Sequence, residues 1–127
     1  MSPEHEPTVA DRLDGLTAAL RRFADDRDWG QYHTPKNLVM ALVGEVGELV
    51  EHFQWLTPEQ SLQVMSDATG ARRVADELAD VLIYLVRLAD VLGVDLLDAT
   101  RTKVEANARR YPADRVRGSA DKAPPLE

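Results

Sequence analysis

The stretch Val74 to Leu92, VADELADVLIYLVRLADVL, decides the fold. It holds no Gly or Pro, and Val74, Leu78, Val81, Leu82, Leu85, Leu88, Ala89 and Leu92 recur at helical spacing. Ile83, Val86 and Val91 fall off that stripe, so this helix is apolar nearly all round and belongs in the middle of other helices. Glu77 and Asp80 interrupt it on one face, with Cβ atoms roughly 5–6 Å apart, and Tyr84 follows one turn on. Like charges beside apolar neighbours repel each other and lose hydration unless a cation or hydrogen-bond donors compensate. Glu45 and Glu48 form a second such pair upstream. The reading is that the four acids face each other and hold a metal.

The chain has 127 residues, enough for one domain and too few for two comfortable ones. Apolar residues at 44% supply a core, and charged residues at 29% fit a soluble surface. No apolar run reaches the length of a membrane span, and MSPEHEPTVADR has no secretory pattern, so no membrane attachment is expected. The absence of cysteine rules out a disulfide framework and thiol chemistry, and it suits a cytoplasmic protein. A net charge of −7 argues against binding a nucleic-acid polymer, which needs a basic face. It leaves room for a nucleotide, because bound divalent cations change the local sign.

Working outward, residues 1–7 read as a flexible tail. Thr8 caps a helix to about Asp26, with Val9, Leu13, Leu16, Leu20 and Phe23 on one face. Asp28-Trp-Gly-Gln-Tyr-His-Thr-Pro35 breaks the period, and Thr34-Pro35 is a helix start. The second helix is expected from Pro35 to about Gln54, with Glu45 at the edge of its apolar arc and Glu48 roughly 60° outside it. Gly44 and Gly47 inside it cost about 1 kcal/mol each relative to alanine, which suits either a close approach by a ligand or backbone, or close helix packing alone. Thr57-Pro-Glu-Gln60 is a capping box opening a short helix to about Met65, and residues 66–70 read as a polar hinge. The central helix stops at Gly93, Asp95 caps a last helix to about Arg110, and residues 113–127 read as a second flexible tail. The chain is all-α, four main helices and one short one, with its domain over 8–112.

An acid pair on a helix is ordinarily a solvated face. Two pairs that both interrupt apolar helices, separated by 28 residues that can return as a hairpin, say more. An all-oxygen ligand set selects Mg²⁺ or Mn²⁺, and Mg²⁺ is commonly shared with substrate phosphates. A di-iron bundle needs Glu-x-x-His on two helices, which is absent. In the last helix Lys103, Asn107 and Arg110 share one face, either as cations for polyphosphate or as a mixed polar surface. Trp29, Tyr32, His33 and Trp55 lie in loops or at helix ends, where they stack on a base or plug the core. His52 reads as packing or surface.

These residues resemble the all-α nucleotide pyrophosphohydrolases of the MazG-like superfamily, and within it the dCTP pyrophosphatase branch. The resemblance covers about Arg27 to Pro112. It is carried by Asp28-Trp29, His33-Thr-Pro-Lys-Asn-Leu38, Ala41-Leu-Val-Gly-Glu-Val-Gly-Glu-Leu49, Phe53-Gln-Trp55, Glu77-Leu-Ala-Asp-Val-Leu-Ile-Tyr-Leu85 and Lys103-x-x-x-Asn107-x-x-Arg110-Tyr-Pro112. It implies a four-helix bundle-like MazG fold built for oligomerisation, as a homodimer or homotetramer with sites between subunits. It implies that Glu45, Glu48, Glu77 and Asp80 are catalytic and hold Mg²⁺, with Mn²⁺ a substitute, for water attack at the α–β bridge of a nucleoside triphosphate. Lys103 and Arg110 would offset phosphate charge. Trp29, His33, Trp55, Tyr84 and Asn107 would shape the nucleoside pocket. His52 and the segment Asp67-Ala-Thr-Gly-Ala-Arg depart from the pattern, and the second bears on base choice. Two other classes compete: a non-catalytic helical oligomer serving as a protein scaffold, and a module that binds nucleotide without turnover.

Overall fold

Thr8 opens the first helix as expected, its hydroxyl accepting from the Asp11 amide at 3.1 Å while the Asp11 carboxylate accepts from the Thr8 amide at 2.9 Å. The computed structural model describes residues 4–126 of the chain. Its helices are α1 Val9–Asp26, α2 Pro35–Glu51, α3 Pro58–Ser61, α4 Ala68–Leu92, α5 Leu96–Arg110 and α6 Ala113–Val116, with 3-10 turns at Gly30–Tyr32 and Val64–Ser66. There is no strand among the described residues, so the all-α reading stands, with α1, α2, α4 and α5 as the four main helices.

The local signals act as the sequence indicates. Thr34 caps α2 through the Asn37 amide with Pro35 in the first turn, and Thr57 and Gln60 form a reciprocal box on α3. Gly93 ends α4 in the left-handed region at φ 70°, where a side chain would be strained. Asp95 caps α5 through the Asp98 amide at 2.9 Å.

Four boundaries differ. The helix expected to reach Gln54 stops at Glu51, because the amides of His52 and Phe53 turn back to the carbonyls of Leu49 and Val50, three residues away, and tighten the chain into turns. The short helix expected to run unbroken to Met65 is two pieces, α3 and a 3-10 turn. The expected hinge at 66–70 is instead the start of α4: the Asp67 carboxylate accepts from the Gly70 amide at 2.7 Å and caps a 25-residue helix. Gly30–Tyr32 forms a 3-10 turn that no periodicity announced.

Of the two expected tails, residues 1–3 and 127 lie outside the described part. Within the second, α6 forms one turn, and the Ala123 amide donates to the Tyr111 hydroxyl at 3.1 Å.

Two compact units divide the chain after Gly93. In the first, α4 packs mainly against α2 and also against α1. Ala24, Leu38, Val74, Val86 and Ala89 form the core, and Arg87 is buried with them. That core is small for the apolar content of the helices. Val39, Met40, Val43, Val46 and Val50 on α2, and Leu78, Leu82, Ile83 and Leu85 on α4, remain exposed. An alanine Cβ at Gly44 or Gly47 would meet nothing within 4 Å, so neither close helix packing nor close backbone approach within this chain explains them.

Leu38 is 1% exposed, and deleting its side chain leaves a cavity. Leu38→Ala is expected to cost about 2–5 kcal/mol of stability, read as a shift in the denaturant midpoint, whereas Val43→Ala on the open face should cost far less.

Candidate active site

The packing of α4 on α2 carries three of the four acids together. Glu45 and Glu48 stand one turn apart on α2, Glu77 comes from α4, and one carboxylate oxygen of each lies within 4.8 Å of the others. Glu45 and Glu77 are half-buried and Glu48 is exposed. Asp80, expected as an equal fourth member, stands outside this group, although its charge still acts on Glu45 and Glu77.

Crowding raises the proton affinity of the site. Burial, then a hydrogen bond and the charge of Glu48, then Asp80 and Glu77, push Glu45 up to about 7. Burial and Glu48 likewise raise Glu77, with Asp80 adding to the effect and His52 opposing it. His52 Nε2 lies 3.8 Å from Glu77 Oε1. From the sequence alone, His52 reads as packing or surface. Its place at the seventh residue after Glu45 and the fourth after Glu48, on one helical face, was the available signal.

Glu45 Oε2 and Glu77 Oε2 are buried without a hydrogen-bond partner. Unpartnered buried oxygens are uncommon and costly. Together with an all-carboxylate donor set they fit a hard divalent cation, for which oxygen is the preferred ligand.

Further along the same unit, Trp29, His33 and Tyr84 line a cleft of about 90 Å³ with Leu20, Phe23, Ile83 and Arg87. Asp28 holds a positive φ of 52°, a strained position that aspartate tolerates better than most, and the chain then turns so that the Trp29 amide donates to Ala24 O at 2.9 Å. Trp29 meets Phe23 edge-on at 5.6 Å between ring centres, and His33 at 6.4 Å. Arg27 stacks over the outer face of Phe23 at 3.6 Å. Trp55, by contrast, is 87% exposed on the turn after α2 and does not line this cleft.

The second unit holds Lys103, Asn107 and Arg110 along α5, with Lys103 and Asn107 exposed. Arg110 is half-buried and donates to the carbonyls of Ala123 and Pro124. Its guanidinium is therefore engaged within its own unit. The helical-face reading of α5 gave no sign of this, because the acceptors lie beyond Pro112.

Comparisons with known proteins were consistent with this arrangement. The MazG-like family matches residues 41–123. The human protein named dCTP pyrophosphatase 1 is 48% identical over 118 residues, covering 92% of this chain and 66% of its own length. The bovine protein of that name is 45% identical over 117 residues, covering 92% and 67% respectively. The chain thus spans about two thirds of the length of these curated relatives. Among solved structures, a pyrophosphatase from Archaeoglobus fulgidus superposes with a TM-score of 0.75 at 40% identity, over 86% of this chain and 97% of that one.

A carboxyl whose pKa rises on folding favours the protonated, folded form. The benefit from Glu45 is fully present below its ordinary 4.5 and is lost as pH rises through about 7. His33, lowered by burial and by Arg87, acts with the opposite sign around 6.5, so the comparison with a variant is the clean readout. Metal-free Glu45→Gln should gain melting temperature over the wild type progressively from about pH 5 to about pH 8, and Mg²⁺ should narrow that gap. A constant gap across the range would contradict the crowding described.

Proposed function

This chain belongs to the MazG-like family, and from that premise we propose that it hydrolyses nucleoside triphosphates at the α–β bridge, with dCTP or a related pyrimidine deoxynucleotide as substrate. Water adds to the α-phosphorus, the bond to the bridging oxygen breaks, and the products are a nucleoside monophosphate and pyrophosphate. The observation that carries the reading is the gathering of Glu45, Glu48 and Glu77 with two buried, unpartnered carboxylate oxygens.

In this reading Glu45, Glu48 and Glu77, with Asp80 beside them, hold Mg²⁺ or, in its place, Mn²⁺. When bound, such a cation offsets phosphate charge and acidifies water for attack. The carboxylates supply the base that takes the water's proton. The aromatic cleft takes the nucleoside through Trp29, His33 and Tyr84. In the second unit, Lys103 and Arg110 are the cations suited to phosphate, with Asn107 between them on α5, and a guanidinium makes stronger, charge-assisted bonds to phosphate oxygens than to carbonyls.

We also read the working form as a homodimer or homotetramer. The exposed valines and leucines of α2 and α4 support this, as does an apolar groove of about 390 Å³ lined by Leu49, Val50, Phe53, Gln54, Val74 and Leu78. The same faces favour the second reading, a non-catalytic oligomer that docks a protein partner. No described helix is long and apolar enough to cross a membrane, and the cysteine-free composition suits the cytoplasm.

A panel of nucleoside triphosphates, with and without Mg²⁺ and with products resolved by chromatography, separates the readings. Metal-dependent pyrophosphate release led by dCTP is the expected result. Glu77→Gln should lower it by at least about 100-fold, more than the loss of a supporting partner costs, while the oligomer stays folded. No release from any triphosphate would put the scaffold ahead.

A further inference from the structure

Arg87 is the one charged residue among the buried described residues, at 8% exposure. A guanidinium taken out of water needs partners for its charge and its donors. Its Nη1 donates to Asp90 Oδ2 at 3.0 Å, and its Nε donates to His33 Nδ1 at 3.1 Å. Asp90 in turn accepts from Nε and Nη2 of Arg21 on α1. Two arginines thus share one carboxylate, and the second bond of Arg87 goes to a neutral acceptor.

That bond fixes the chemistry of the imidazole. Arginine carries donors only and does not lose its proton in proteins. The nitrogen facing it must present a lone pair, so the proton of neutral His33 sits on Nε2. Protonating Nδ1 would set two N–H groups against each other, and both burial and the Arg87 charge lower the proton affinity of His33. Among the described residues no protein acceptor takes Nε2–H. The ring stands against Trp29 in the wall of the cleft that also holds Phe23 and Tyr84.

We propose that Arg87 is a positioning residue that locks His33 as an Nε2–H donor, so that the aromatic cleft selects a ring whose edge offers a hydrogen-bond acceptor. The ring carbonyl of a pyrimidine base meets that requirement. A cleft of about 90 Å³ lies well below the ~300–1,000 Å³ of sites that enclose whole drug-sized ligands, which suits one ring more than two. Asp90 and Arg21 act one step further out by holding Arg87 in place, which ties recognition to the docking of α1 on α4. The proposal rests on the reading that this cleft takes the nucleoside.

Nitrogen-15 spectra of the histidine side chains test the lock in the wild-type protein, with His33→Phe assigning the signal. A bare Nδ1 and a protonated Nε2 at neutral pH are expected. An Nδ1–H form, or an even mixture of the two, would overturn the proposal. Arg87→Met keeps the apolar stem and removes the donors. It should shift the His33 signals towards a mixture and raise the KM for dCTP about fivefold to tenfold, the worth of one hydrogen bond, while kcat changes by less than about twofold. A folded Arg87→Met with an unchanged tautomer and KM would make Arg87 a packing residue only. If that variant does not fold, Asp90→Asn in the same two assays replaces it. Should the wild type show the expected tautomer and hydrolyse no triphosphate, the functional reading fails and recognition fails with it. Hydrolysis with an unchanged KM in the variant sinks the positioning role alone.

Discussion

The crowding of the Glu45, Glu48 and Glu77 carboxylates in the crease between α2 and α4 is the constraint on which the rest depends. Apolar packing draws the two helices together, and in doing so it brings like charges to a separation that water alone does not screen well. The chain's own polar groups do little to offset this. His52 reaches towards Glu77, and two buried oxygens find no donor. A site assembled at such a cost, with carboxylates raised towards neutrality, takes up either protons or a multivalent cation. Which of them it takes depends on pH and on the cation supplied. That competition is the physical content of metal dependence in a site of this kind.

One helix relates the acids to the cleft. Glu77, Asp80, Tyr84 and Arg87 fall three, four and three residues apart, so a single face of α4 carries all four side chains. At 1.5 Å per residue, that face runs about 15 Å from Glu77 to Arg87. Its first half belongs to the carboxylates and its second to the aromatic cleft. α2 supports both ends, since it begins two residues after His33, at the cap Thr34, and later carries Glu45 and Glu48. A ligand anionic at one end and planar at the other fits a surface divided in this way. The Arg21–Asp90–Arg87 chain anchors the planar end to α1, so the two halves rest on different parts of the framework.

What was legible in the sequence was local or periodic. Thr8, Thr34, Thr57, Asp95 and Gly93 act within a turn of themselves, and each cap appears where its residue type placed it. The apolar stripe of α4 and the acids on it needed only helical geometry. Ser66 and Gly70 suggest a hinge, whereas one bond from the Gly70 amide to the Asp67 carboxylate is enough to start the helix there. Tertiary distances were not legible. Spacing alone could not rank Asp80 behind the three glutamates, nor separate Trp29, which lines the cleft, from Trp55, which does not. Nothing in the spacing of α4 marks Arg87 as its buried cation, although a buried charge calls for a partner. The commitment of Arg110 to the carbonyls of Ala123 and Pro124 depends on a chain segment whose composition suggested no structure.

Calorimetric titration of Mg²⁺ or Mn²⁺ into the metal-free protein, repeated in buffers of different ionisation enthalpy, tests the central claim most directly. Protons held by Glu45 must leave when a cation enters, so binding near neutral pH should release protons, and the affinity should climb as the pH is raised through about 7. Glu45→Gln should weaken binding and reduce that release. Binding without proton release, or no saturable binding to the wild-type protein, would contradict the account.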